Sequence, residues 1–159
     1  MGNENNTMEK QQLNSEELAK MEAAWNRHPT LKSMNIQVKF TQELISARID
    51  PVLPIHRGGM GTDAVNGAIM SSVCDLMVGL VGIANSNKHR TGTVQLNIHF
   101  LKPLKGDVLL AEARATKVGR ALVFSHVDIK NPAGEVCVSC EGVASVDTSK
   151  PPVDSYMVI

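Results

Sequence analysis

The stretch from Ala64 to Ala84 is the longest apolar run in the chain, and it carries one charged residue, Asp75. A carboxylate in the middle of a bilayer span is costly, and Asn66, Ser71 and Ser72 add further polar groups. The run therefore predicts a helix buried in a protein core, from about Val65 to Ala84, apolar nearly all round. Gly67, Ala68, Ser71, Ser72, Gly79 and Gly82 keep it slim enough for a backbone or ligand to approach closely. The rest of the chain must supply a surface that wraps it.

Strands supply that surface. Met34, Ile36, Val38 and Phe40, then Ile45, Ala47 and Ile49, alternate with polar residues at the strand period. Val94, Leu96, Ile98 and Phe100 alternate with Thr93, Gln95, Asn97 and His99 in the cleanest such pattern. Segments from Val108 to Val118, Ala121 to Ile129 and Val136 to Val146 follow, joined by turns at Gly119-Arg120 and Asn131 to Gly134. Before the first strand, Ser15 to Asn26 predicts a short helix capped by Ser15, with Pro29 marking the break after it. Consecutive hairpins favour an antiparallel sheet. The expected class is α+β: a curved antiparallel sheet wrapped around one long helix, with a short N-terminal helix. One domain spans 15–147, between a polar segment 1–14 expected to be disordered and a loose tail 148–159.

Sixteen basic and sixteen acidic residues cancel. A neutral chain has no broad positive field for a phosphate backbone, so nucleic acid is not an expected partner, and neither is a membrane. Met1 to Gln12 lacks the apolar run of a signal peptide, which gives a cytoplasmic expectation. Cys137 and Cys140 spell Cys-x-x-Cys, the spacing of a zinc half-site or redox pair. Placed three apart on a strand, they face opposite sides of the sheet and read as packing thiols, with no metal site. Gly58, Gly59 and Gly61 suit a phosphate nest, but no Gly-Lys-Ser/Thr follows them.

The chemistry gathers around the central helix. Unpaired amides at a helix N-terminus carry a positive dipole, so the Gly67 N–H is placed to polarise a carbonyl, and glycine admits close approach. Asp75 lies eight positions on. On a buried helix its carboxyl is expected to have a raised pKa, which suits a general base. Asn66 is a natural N-cap.

The loop His56-Arg57-Gly58-Gly59-Met60-Gly61-Thr62, the helix opening Asn66-Gly67-Ala68, Asp75, the strand from Thr93 to Phe100-Leu101-Lys102-Pro103 and the Gly119-Arg120 turn occur in a telling order. Together they resemble the hotdog-fold thioesterases of the phenylacetic-acid-degradation type, over roughly Lys32 to Asp147. The resemblance implies an acyl-CoA thioesterase acting on a small or aromatic acyl group. In it Asp75 would be general base or nucleophile, Gly67 the oxyanion donor, and Thr93 the residue that positions water or carboxylate. Asn66 stands where the family has a helix-opening His, and Gly58 falls near the family's loop Asn, so His56 or Asn66 inherits that orienting role.

The resemblance also implies a homo-oligomer, dimer or tetramer, with donor and carboxylate drawn from different chains. Hydrolysis needs no cofactor, coenzyme A being part of the substrate. His56 reads either as a substrate contact or as an exposed loop residue. Gly58 and Gly59 are expected beside the substrate, and Lys102 and Arg120 at its phosphates or as plain exposed cations. The alternative is a non-catalytic acyl-CoA-binding hotdog protein. A hydratase or dehydratase ranks last, since no Asp/His or His/Glu pair lies near the helix.

Overall fold

The computed structural model describes residues 13–153. Most of the segment expected to be disordered, and the last six residues of the tail, lie outside that range. Leu13 is buried and Asn14 caps the first helix, so both belong to the folded body.

Helix α1 (Ser15–Arg27) starts one residue earlier than the capping expectation required. Asn14, not Ser15, is the cap: Glu17 N–H donates to its side chain, and the Glu17 carboxylate accepts from the Asn14 N–H. Pro29 does not end helical structure but starts a second helix, α2 (Pro29–Ser33), because proline at the first helical turn gives up an amide that has no partner there.

Strands β1 (Ile36–Phe40) and β2 (Ile45–Ile49) follow, then a loop with one 3-10 turn at Pro54–His56. The central helix α3 (Gly67–Ala84) leads to β3 (Arg90–Phe100), β4 (Leu109–Val118), β5 (Leu122–Lys130) and β6 (Val136–Asp147). All six strands form one antiparallel sheet in the order β1-β2-β4-β5-β6-β3. This is the expected hotdog arrangement. The third strand begins at Arg90, three residues before the Thr93 start that the alternation suggests.

Helix α3 rests on the sheet in a regular register. A Cβ on Gly142 would overlap Val78, and one on Gly82 would come within 2.9 Å of the Ala144 Cβ. Cys74 and Cys140, one step back on each element, are fully buried at the next contact. Four helical residues and two strand residues each advance roughly 6 Å, so the same contact repeats along the interface. Alpha3 is long and apolar enough to cross a membrane by length and composition, yet half of it is buried against the sheet. Its other face is not wrapped: Ala68, Ser72 and Asp75 are exposed, because the sheet covers one side only.

The two edges of the sheet differ. On β1, Asn26 of α1 accepts from the Val38 N–H at 2.8 Å and donates to its carbonyl at 2.9 Å, while Glu22 accepts from the Phe40 N–H at 3.0 Å. These side chains stand in for a neighbouring strand. The β3 edge has no such cover among the described residues, and Val94 and Phe100 on it are exposed.

Candidate active site

Asn66 caps α3, its side chain accepting from the Ala68 N–H at 2.8 Å. Its own N–H donates to the His56 carbonyl, and the Ile69 and Met70 amides donate to its carbonyl. The Gly67 N–H finds no acceptor among the described residues. A free amide at the first position of an 18-residue helix, on a residue without a Cβ, leaves a donor open at the positive end of α3.

Asp75 departs from expectation in one respect. It is exposed in the single chain, not buried, because it projects from the uncovered face of α3 while Cys74, Met77 and Val78 turn to the sheet. No side chain among the described residues pairs with its carboxylate. Thr93 lies beside it: the Thr93 hydroxyl donates to the Asp75 main-chain oxygen at 3.5 Å. Just past Thr93 the β3–β6 register slips, a bulge that carries Val94 out of the ladder.

An open cleft of about 480 Å³ adjoins Asp75. Leu31, Met34, Ile36 and Leu76 make it largely apolar, and Thr30, Ser71, Ser72 and Asp75 line the remainder. The Ser71 and Ser72 hydroxyls donate back to the carbonyls of Gly67 and Ala68, so they are satisfied within the helix. The contribution of α2 escaped the sequence reading, which had ended helical structure at Pro29.

His56 takes neither of its expected roles. It is 1% exposed, and its ring is spent on the backbone. The Leu53 N–H needs Nδ1 as acceptor at 2.8 Å, so Nε2 carries the proton and donates to the Met34 carbonyl at 2.7 Å. His56 thus ties the loop to the end of α2 and is unavailable to orient a substrate. Gly58 packs where any Cβ would collide with the Asn66 amide, which explains why no side chain replaces the loop Asn there. Gly59, at φ +83°, is exposed in the same loop.

Lys102 and Arg120 are both exposed, and they lie at opposite ends of the sheet. Lys102 follows Phe100, which pairs with Val138, whereas Arg120 precedes Leu122, which pairs with Ser145. Seven residues of β6 separate those rows, roughly 23 Å. One chain cannot place both on one diphosphate. Lys102 also bonds Glu135 at 3.5 Å.

Cys137 and Cys140 face opposite sides of β6, as the strand period required: Cys140 meets Cys74 under α3, and Cys137 approaches the Pro103 carbonyl. A charged cluster lies on the outer face of the sheet. His126 sits between Asp128, with Nε2 3.0 Å from its carboxylate, and Glu141, which bonds Nδ1. Burial pulls the His126 pKa down, but the two carboxylates outweigh it, and the net shift is upward. The His-x-Asp spacing on one strand was visible; the Glu141 pairing needed the register.

Residues 63–138 match the family model of the thioesterase superfamily. No curated protein matches the chain. Among solved structures, a thioesterase-superfamily-related protein of Shewanella oneidensis superposes with a TM-score of 0.76 at 15% identity, over 82% of this chain and 95% of that one. The E. coli PaaI protein of the phenylacetic acid degradation operon gives 0.70 at 17%, over 80% and 91%. Zebrafish thioesterase superfamily member 2 gives 0.69 at 19%, over 81% and 97%. At such identities the likeness speaks to the fold.

Proposed function

We propose that this protein, whose residues 63–138 match the thioesterase superfamily model, hydrolyses an acyl-CoA thioester to the free acid and coenzyme A, the acyl group being small or aromatic. The observation that carries the reading is the exposed Asp75 carboxylate at an apolar cleft, with the Thr93 hydroxyl beside its backbone. Asp75 as general base takes a proton from water, and the hydroxide adds to the thioester carbonyl. The Gly67 N–H holds the resulting oxyanion. Collapse expels the coenzyme A thiolate, which takes up a proton. As nucleophile, Asp75 would instead form a mixed anhydride that water cleaves. Water and thioester suffice; the reaction needs no cofactor.

Two chains are required. Eight helical residues put Gly67 and Asp75 about 12 Å apart along α3, too far to serve one carbonyl. Gly67 lies near Phe100, whose ring would be 3.5 Å from a Cβ placed on it, and Asp75 lies near Thr93. Antiparallel pairing of two copies through the open β3 edge, centred on Asn97 because the bulged Val94 takes no ladder position, sets Phe100 of one copy opposite Thr93 of the other. Each Asp75 then gains a Gly67 from a second copy. Lys102 of that copy comes to the same end as Arg120, so a diphosphate contact would draw on both chains.

The test is steady-state thiol release over an acyl-CoA panel for the wild type, Asp75→Asn and Asp75→Ala. Loss of about two or more orders of magnitude in both variants is expected. Full activity in both would overturn the mechanism. Saturable binding of intact acyl-CoA without thiol release would favour the non-catalytic alternative, for which Asn66, a cap that cannot titrate, is the supporting feature.

A further inference from the structure

We propose that the cleft beside Asp75 seats an apolar acyl chain and that Met34, at the end of α2, sets the size of chain it accepts. The inference rests on the thioesterase reading and names the group that reading leaves open.

The chemistry of the walls selects the occupant. No lysine or arginine lines the cleft, so the phosphates of coenzyme A have no partner in it. The serine hydroxyls on the α3 side already donate within their own helix. An apolar ligand laid against them therefore leaves no donor stranded. Among the described residues the Asp75 carboxylate and the Thr30 hydroxyl are the cleft's polar side-chain groups without a partner, and Asp75 lies where the thioester end of a seated acyl group would emerge. The nucleotide must then lie outside, toward the exposed cations.

Two walls face each other across this space. Leu76 and Asp75 belong to α3; Leu31, Met34 and Ile36 come from α2 and the start of β1. Leu31 and Ile36 are 1% and 4% exposed, locked into the core, and altering them would disturb folding. Met34 is half-buried, and its backbone is pinned by its own N–H to the Thr30 carbonyl and by the His56 bond to its carbonyl. A fixed backbone carrying an unbranched, three-torsion side chain gives a wall of adjustable depth. The His56 ring, lost as a substrate contact, thereby gains a role in holding this wall in place.

The experiment compares kcat/KM across straight-chain acyl-CoAs of increasing length, with an aryl acyl-CoA beside them, for the wild type, Met34→Ala and Met34→Trp. In the wild type kcat/KM should climb about fourfold per added methylene until the cleft is filled. Met34→Ala should move the optimum to longer or bulkier acyl groups and Met34→Trp to shorter ones. Hydrolysis with one unchanged length profile in all three proteins would overturn the proposal and leave the thioesterase reading intact. If the wild type hydrolyses nothing, that reading fails, and titration with S-alkyl-CoA thioethers of graded length still decides this one. Affinity rising with alkyl length and trimmed by Met34→Trp supports it; affinity indifferent to length overturns it. A change of oligomeric state in Met34→Trp without any change in acyl preference would mean that a second copy fills the cleft, and also overturns it.

Discussion

Thr93 donates its hydroxyl to the main-chain oxygen of Asp75 at 3.5 Å, linking the first turn of the edge strand to the middle of the central helix. The bond holds backbone, not the carboxylate itself, so in the proposed mechanism Thr93 is a positioning residue. Thr93→Ala should lower kcat about tenfold with KM little changed, the size of one lost hydrogen bond. Thr93→Ser should restore it. An equal loss in both variants would mean that the methyl group, not the hydroxyl, matters.

Gly67 offers a substitution that removes the donor and spares the helix. Proline at the first helical position is well tolerated, and the Asn66 backbone, at φ −63° and ψ 135°, already has the extended form a following proline requires. Gly67→Pro should keep its melting temperature within a few degrees. Its kcat should fall about 10²- to 10³-fold, as for loss of an oxyanion donor. Unaltered kcat would remove Gly67 from the mechanism.

The β1 edge is closed by Asn26 and Glu22 side chains bonded to Val38 and Phe40. Asn26→Ala strands both backbone groups of Val38, which should cost about 1–3 kcal/mol in urea unfolding. The double variant with Glu22→Ala exposes a second pairing edge. Sedimentation should then reveal assemblies larger than those of the wild type. An unchanged size distribution would mean that α1 blocks the edge by bulk alone.

His126 contributes a pH dependence to stability. Its pKa is raised in the folded chain, against the pull of burial, by Glu141 and Asp128, with Arg114 facing it across the strand from β4. A raised folded value means that the favourable contribution is complete below the unfolded value of ~6.5 and is lost as pH climbs through the folded one. Unfolding free energy should therefore fall as pH rises from about 6.5, and His126→Asn should flatten that slope. A slope identical in the variant would assign the dependence elsewhere.

Much of the fold was legible because periodicity is a property of the chain itself. The long apolar helix and the strand patterns around Val94 to Phe100 and Val136 to Val146 read directly into α3, β3 and β6. Local rules were weaker where two caps compete, as with Asn14 over Ser15, and where proline both ends and begins helices, as at Pro29. The site divides in the same way. Gly67 as helix opener and Asn66 as cap follow from neighbouring residues, so they were readable. The exposure of Asp75, the burial of His56 and the wall made by α2 depend on which faces meet in space. No spacing along the chain encodes those.

The central claim is that a thioester is cleaved between Asp75 of one chain and Gly67 of another. Mixing the inactive Gly67→Pro and Asp75→Asn proteins under conditions that exchange subunits tests it most directly. A mixed dimer carries one site with both native residues, so about a quarter of wild-type activity should return at random assortment. A mixture that remains as inactive as its two components, with exchange demonstrated by mass, would contradict the account.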